Sequence, residues 1–197
     1  MVTLYVEGGG DTADLRSRCR AGFSRLLKTS GLAGRLPRIV AGGSRNKAFD
    51  LFRSAHEQRP GDIALLLVDS EDPITRTPWE HLLARDGWKR PAGATDERVH
   101  FMATCLETSL VTDRSALRRH FGSDFNERAL PPVQNLEERS RGAVLACLDQ
   151  ATTRCNAGRR YSKGAVSFAL LGSLDPNVLK GHLAYFQRLI ETLNQLP

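Results

Sequence analysis

The sequence predicts the α/β class: an open, mainly parallel, four-stranded sheet flanked by helices, with a helical C-terminal portion. Three observations carry this. Four short apolar segments, residues 3–6, 38–41, 62–68 and 99–103, alternate with amphipathic stretches of helical period. The third segment is apolar on both faces, as a central parallel strand should be. Beyond residue 103 the pattern is helical throughout. We take 1–122 as the α/β core and 123–197 as a helical portion packed on it in one compact unit. With 197 residues, 41% hydrophobic and 25% charged, the composition excludes a disordered chain, collagen and a disulfide scaffold.

The first strand is broken by Gly8-Gly9-Gly10, and Asp11 or Thr12 can cap the helix that follows. That helix turns Leu15, Cys19, Phe23, Leu26 and Leu27 inward and ends near Gly31. The second strand runs into Gly42-Gly43, with Ser44 as the next cap. The third ends at Asp69-Ser-Glu-Asp-Pro73. Thr77-Pro-Trp-Glu80 is a capping box with proline at the first helical position. Residues 89–98 read as an exposed loop before the fourth strand. Helices are expected over 106–111, 114–121, 136–152, 164–174 and 176–196. The last has Asp175 as cap and an apolar stripe of Leu179, Leu183, Phe186, Leu189, Ile190 and Leu193. Such a stripe covers the core or, in a homo-oligomer, a second copy. Trp79 and Trp88 flank a surface helix, where packing is favoured over stacking on bases.

No apolar run approaches the roughly 18 residues of a membrane span, and the start lacks the pattern of a secretory signal. A cytoplasmic location is expected. The four cysteines, Cys19, Cys105, Cys147 and Cys155, form no C-x-x-C pair and read as reduced core filler. The five histidines show no ligand spacing. Net charge is +6, and residues 14–53 hold ten Lys/Arg against two Asp/Glu, so one stretch carries the whole excess. A concentrated basic face suits a polyanion such as nucleic acid. Arg16 and Arg20 on the first helix, and Arg45 and Lys47 at the start of the second, are the candidate contacts to a phosphate backbone.

Acids gather where the strands end. Glu7 follows the first strand, Asp69 and Glu71 the third with Asp72 adjacent, Glu107 lies just past the fourth, and Asp113 caps the next helix. Ligands of open parallel sheets bind outside the carboxyl ends of the strands. Carboxylates crowded there repel one another unless a divalent cation joins them. Mg²⁺ or Mn²⁺, which favour oxygen donors, fit such a set. In an extended Asp69-Ser-Glu71, alternate side chains face the same way and can reach one ion. The glycines between Glu7 and Asp11 either approach a metal-bridged phosphate or only let the backbone turn.

A glutamate after the first strand with glycines behind it, and an apolar strand ending in acid-x-acid, resembles the Toprim domain of topoisomerases, bacterial primases and nucleases of the overcoming-lysogenization-defect type. Val6-Glu-Gly-Gly-Gly-Asp11, Leu67-Val-Asp-Ser-Glu-Asp-Pro73, Pro78-Trp-Glu80, Cys105-Leu-Glu-Thr-Ser-Leu-Val-Thr-Asp113 and Tyr161-Ser-Lys-Gly164 resemble more closely a bacterial family, domain of unknown function 4276. The resemblance maps the Toprim glutamate to Glu7 and the acid pair to Asp69 and Glu71, with Asp72 a substitute for the second. It makes Lys163 the candidate for the later lysine of Toprim nucleases. It also implies a partner ATPase of the ABC or structural-maintenance-of-chromosomes type in an antiphage defence module. No Walker motif occurs in this chain, so ATP use falls to the partner.

The leading expectation is a metal-dependent nuclease. Mg²⁺ or Mn²⁺ would be held by Glu7, Asp69 and Glu71, with Glu107 and Asp113 as second-site ligands and Lys163 facing the transferring phosphate. The alternatives are an inactive Toprim-like subunit docking on the ATPase, and a hydrolase of small phosphate esters.

Overall fold

The computed structural model describes residues 1–59, 61–156 and 160–197. Four parallel strands, β1 (Val2–Gly9), β2 (Arg38–Gly43), β3 (Ile63–Asp69) and β4 (Val99–Met102), form one sheet in the order β2-β1-β3-β4. The chain moves outward from β1 to β2, then crosses back to place β3 on the other side of β1. The strand order therefore reverses between β1 and β3, and their carboxyl ends flank the crevice this reversal creates. The register Val6↔Leu67 brings Glu7 and Asp69 to that crevice together.

Period-two alternation divides the sheet into two apolar faces. Leu4, Val6, Ile39, Ala41, Leu65, Leu67 and Met102 face α1 (Ala13–Leu27) and the C-terminal helices. Tyr5, Ala64, Leu66, Val68, Val99 and Phe101 face α2 (Arg45–Gln58) and α3 (Pro78–Asp86). Five of the expected caps are present. Thr12 Oγ1 accepts from Leu15 N, Ser44 caps α2, the Thr77–Glu80 box opens α3, and Asp113 and Asp175 cap later helices. The chain turns out of α1 through Gly31, at φ 97°.

After β4 come α4 (Leu106–Thr112) and α5 (Arg114–Phe121), which close the first 122 residues, and the helical portion beyond them carries α6 (Arg141–Thr152), α7 (Ala165–Leu171), α8 (Pro176–His182) and α9 (Ala184–Gln195). Two long helices expected from periodicity are interrupted. A short 3₁₀ turn, Leu136–Glu138, stands apart from α6, which begins anew behind the cap Ser140. The terminal helix breaks at the extended residue Leu183. There the carboxylate of Glu137 accepts the amides of Ala184 (2.8 Å) and Tyr185 (3.0 Å), capping α9 from across the fold. The apolar stripe still lies entirely inward. From α9, Arg188 donates to the carbonyls of Val99 and Asp96, sealing the outer edge of β4.

The segment before β4 is mostly exposed, as expected, but it is anchored at a few points. Ala94 is buried, Trp79 Nε1 donates to Thr95 O and Trp79 N to Asp96 Oδ1. Trp79 and Trp88 are core residues, and Trp88 stacks on Phe49 with centroids 4.2 Å apart. Cys19, Cys105 and Cys155 are buried, Cys147 is half-buried, and all four are free thiols. No helix among the described residues is long and apolar enough to cross a membrane.

Candidate metal centre

A cleft of about 290 Å³ opens at the carboxyl ends of β1 and β3. It is lined by the glycine run that ends β1, Gly8-Gly9-Gly10, and by Glu7, Asp69, Glu107, Arg141, Lys163 and Ser167. Glycine is required in that lining. A Cβ on Gly9, at φ +93°, would stand 2.7 Å from Arg16 Cα, and one on Gly43, at φ +79°, 2.5 Å from Gly10 O. The turn is thus built for close backbone approach between β1, β2 and the start of α1.

Glu7, Asp69 and Glu71 each offer a carboxylate oxygen, and these oxygens lie within 4.8 Å of one another. Each is held differently. Glu7 Oε2 accepts from Asp69 N (3.1 Å) and Arg45 Nη1 (3.1 Å). Asp69 Oδ1 accepts Leu106 N at 2.9 Å, serving as the cap that Cys105 does not supply to α4. Glu71 sits at φ 67°, in the left-handed region that a non-glycine residue seldom adopts, with its amide donating to Thr104 O at 2.7 Å. That turn swings its side chain back toward Asp69, where Arg141 Nη1 meets Oε2.

Electrostatics match the crowding. Burial, followed by the charges of Glu7, Glu107 and Glu71, pushes the Asp69 carboxyl well above its ordinary range. Burial also raises Glu7, against the lowering influence of Arg45. A cluster of oxygen-only donors whose charges disfavour one another is one that could hold a metal ion.

The remaining expected residues are placed as follows. Glu107 is buried beside the trio, accepting from Tyr161 OH at 2.6 Å, with Lys163 Nζ 3.6 Å away. Asp72 points to solvent and pairs with Arg85 at 3.4 Å, apart from the trio. Asp113 is buried but spent on capping. Its Oδ1 accepts Ala116 N (2.9 Å) and its Oδ2 Asp175 N (2.8 Å), so it joins two helices instead of facing the cleft.

Arg45 differs most from expectation. Its guanidinium is turned inward and only 12% exposed, gripping both oxygens of Asp86 (3.0 and 2.8 Å), Glu7 Oε2 and the carbonyl of Asp69, over the ring of Trp88. Burial works against its charge, but the hydrogen bonds and charges of Asp86 and Glu7 outweigh it and hold it protonated. A group so engaged frames the carboxylates: four of its five N–H donors are spent inside the fold, which makes it a poor contact for a phosphate backbone. Lys47 and Arg20 are exposed, and Arg16, half-exposed, donates to Gly10 O at 3.3 Å. Arg16 and Arg20 line a depression beside β2 with Arg38, outside the cleft.

Sequence reasoning passed over Arg141, Tyr161 and the Asp86–Trp88 support of Arg45. Tyr161 lies inside one of the motifs that carry the family likeness. Arg141 has one local signal, a cation at the first residue of a helix, where the dipole disfavours it.

No curated protein and no solved structure matches this chain. The family model described as Domain of unknown function (DUF4276) matches residues 6–194, from the strand bearing Glu7 through α9, and the chain belongs to that family.

Proposed function

We propose that this protein is a divalent-metal-dependent phosphodiesterase acting on nucleic acid, with Mg²⁺ or Mn²⁺ as its ion. The observation that carries this reading is the convergence of Glu7 with Asp69 and Glu71, at the end of a strand distant in the chain, to within 4.8 Å at the strand-order reversal of a parallel sheet. The donor set is all carboxylate, which suits a hard cation. When bound, such an ion supplies Lewis-acid polarisation of the phosphoryl oxygens. The chain's own groups do the rest. Arg45 and the Asp69 amide fix Glu7, and Leu106 N fixes Asp69. Lys163, on the cleft wall, offsets charge on the phosphate. Arg16, Arg20 and Lys47 hold the flanking backbone, and binding weakens steeply with salt.

The test is cleavage of labelled DNA and RNA, single- and double-stranded, with Mg²⁺ or Mn²⁺. Cleavage by the wild type that is lost in Glu7→Ala supports the assignment, and equal cleavage by both proteins removes it.

One observation favours a second reading. Glu7 and Glu71 already have arginine partners inside the fold, which suits acids of a structural kind. On that reading the chain is a non-catalytic subunit docking on an ATPase of the ABC or structural-maintenance-of-chromosomes type, within an antiphage defence module. Calorimetry with Mn²⁺ separates the two: no binding of the ion, with binding to the ATPase retained, supports the second.

A further inference from the structure

We propose that Arg141 is a phosphate-binding group held in reserve: without metal it serves as the counter-ion of Glu71, and a divalent ion taking Glu71 releases it to an anion in the cleft. This rests on the reading of the trio as a metal site.

The cations around the cluster differ in their freedom to move. Four carboxylates, Glu7, Asp69, Glu71 and Glu107, converge here, and four cations stand near them. Arg45 is buried and doubly bonded to Asp86. Arg85 is shared among Asp86, Asp72 and Glu71, and its distance to Glu71 is 3.8 Å. Lys163 lies beside Glu107. Arg141 makes one ion pair among the described residues, with Glu71 through Nη1, and is otherwise influenced by the charge of Asp69 without touching it.

Three further observations distinguish Arg141. Its side chain is 36% exposed and lines the cleft, whereas that of Glu71 is only 12% exposed, so the guanidinium lies on the open side of the pair. Only its Nη1 is engaged and its Nε is buried without a partner, so Nη2 remains as the donor that, with Nη1 once released, suits bidentate capture of a phosphate. It also occupies the first residue of α6, behind the cap Ser140, where a positive charge is disfavoured by the helix dipole and an anion is favoured. The ion pair with Glu71 accounts for its presence there, and that same carboxylate belongs to the metal cluster.

Metal and Arg141 therefore compete for Glu71. Displaced, Arg141 keeps its place on the cleft wall and lacks a counter-ion, so the metal-loaded cleft attracts a phosphate more strongly than the metal-free one. By linkage the phosphate strengthens metal binding to the same degree. Arg141 is the residue through which the two ligands are coupled.

The test is Mn²⁺ titration by calorimetry of the wild type, Arg141→Gln and Arg141→Lys, alone and with a short oligothymidylate made uncleavable by a phosphorothioate backbone. Melting curves first confirm that each variant is folded. Arg141→Gln should bind Mn²⁺ about fivefold more tightly than the wild type when no oligonucleotide is present, because a competing charge has gone. It should also lose the mutual strengthening of Mn²⁺ and oligonucleotide that the wild type shows. Arg141→Lys keeps the charge and should bind Mn²⁺ like the wild type, with reduced coupling. Unchanged or weaker Mn²⁺ binding by Arg141→Gln overturns the proposal while leaving the metal site intact. No Mn²⁺ binding by any of the three proteins overturns the metal reading and this proposal with it.

Discussion

Arg45 Nη1 lies 3.1 Å from Oε2 of Glu7, the same oxygen that accepts the amide of Asp69. One carboxylate oxygen is thus committed to the scaffold, and Oε1 is left for the cleft. The arrangement orients a ligand before any ion arrives. It explains why an arginine at a helix start, which reads as a phosphate contact, is sequestered between Asp86 and Trp88.

Arg45→Gln should accordingly act on both stability and metal affinity. It leaves Glu7 as a buried charge without its ion-pair partner and Asp86 with Arg85 alone, a change that costs about 3 kcal/mol. Urea unfolding measures that loss. Mn²⁺ calorimetry should show affinity reduced at least about tenfold, in the range seen when groups supporting metal ligands are removed. Arg45→Lys should recover little, since an ammonium cannot grip both oxygens of Asp86 and reach Glu7 at once.

Asp69→Asn should trade metal binding for stability. The amide oxygen can still accept Leu106 N, while the charge that burial, Glu7, Glu107 and Glu71 all disfavour is removed. Metal-free, the variant should melt roughly 2–4 °C above the wild type. Added Mn²⁺ should raise the wild-type melting temperature and leave the variant's unchanged. A lower melting temperature for metal-free Asp69→Asn would contradict mutual repulsion among these carboxylates.

His100, fully buried on β4, has its pKa pushed down to about 3, first by burial and then by the charge of Arg188. Its ordinary value is 6.5, so below that pH the unfolded chain takes up a proton that the folded chain refuses. The stability it contributes is complete above pH 6.5 and is lost as pH falls toward 3, by up to about 1.4 kcal/mol per pH unit. Urea unfolding between about pH 7 and 4.5 should give a shallower acid loss for His100→Leu than for the wild type. Parallel curves would refute it.

Glu137→Ala removes the cap of α9 while leaving the helix's apolar stripe in place. A loss of about 1 kcal/mol is expected, as for other helix caps. Hydrogen exchange should show faster exchange of the Ala184 and Tyr185 amides than of those in α2, which keeps its own cap Ser44.

These residues also show what the sequence makes legible. The four parallel strands, most caps and the trio of acids are local: strand ends carry the acids, and the sheet brings strand ends together whatever the loops do. Glu71 needed only the acid-x-acid spacing, although a left-handed turn and not an extended backbone directs its side chain. What escaped depends on tertiary contact. The break at Leu183 sits within an unbroken apolar stripe and is set by Glu137, a cap from a distant segment. Arg45 reads the same whether it faces solvent or Asp86, and Asp113 reads the same whether it binds an ion or ties together two helices. Only the folded neighbourhood distinguishes them.

Glu107 carries a final consequence. Its carboxylate is satisfied by Tyr161 and Lys163, and Glu71 by Arg141, all three partners lying beyond residue 122. The α/β half contributes all four acids and its own cations Arg45 and Arg85, while the helical half adds Arg141, Lys163 and the Tyr161 hydroxyl. Severing the chain at that point would leave Glu107 without its hydroxyl and ammonium partners and Glu71 with Arg85 alone, so the acidic crevice depends on both halves.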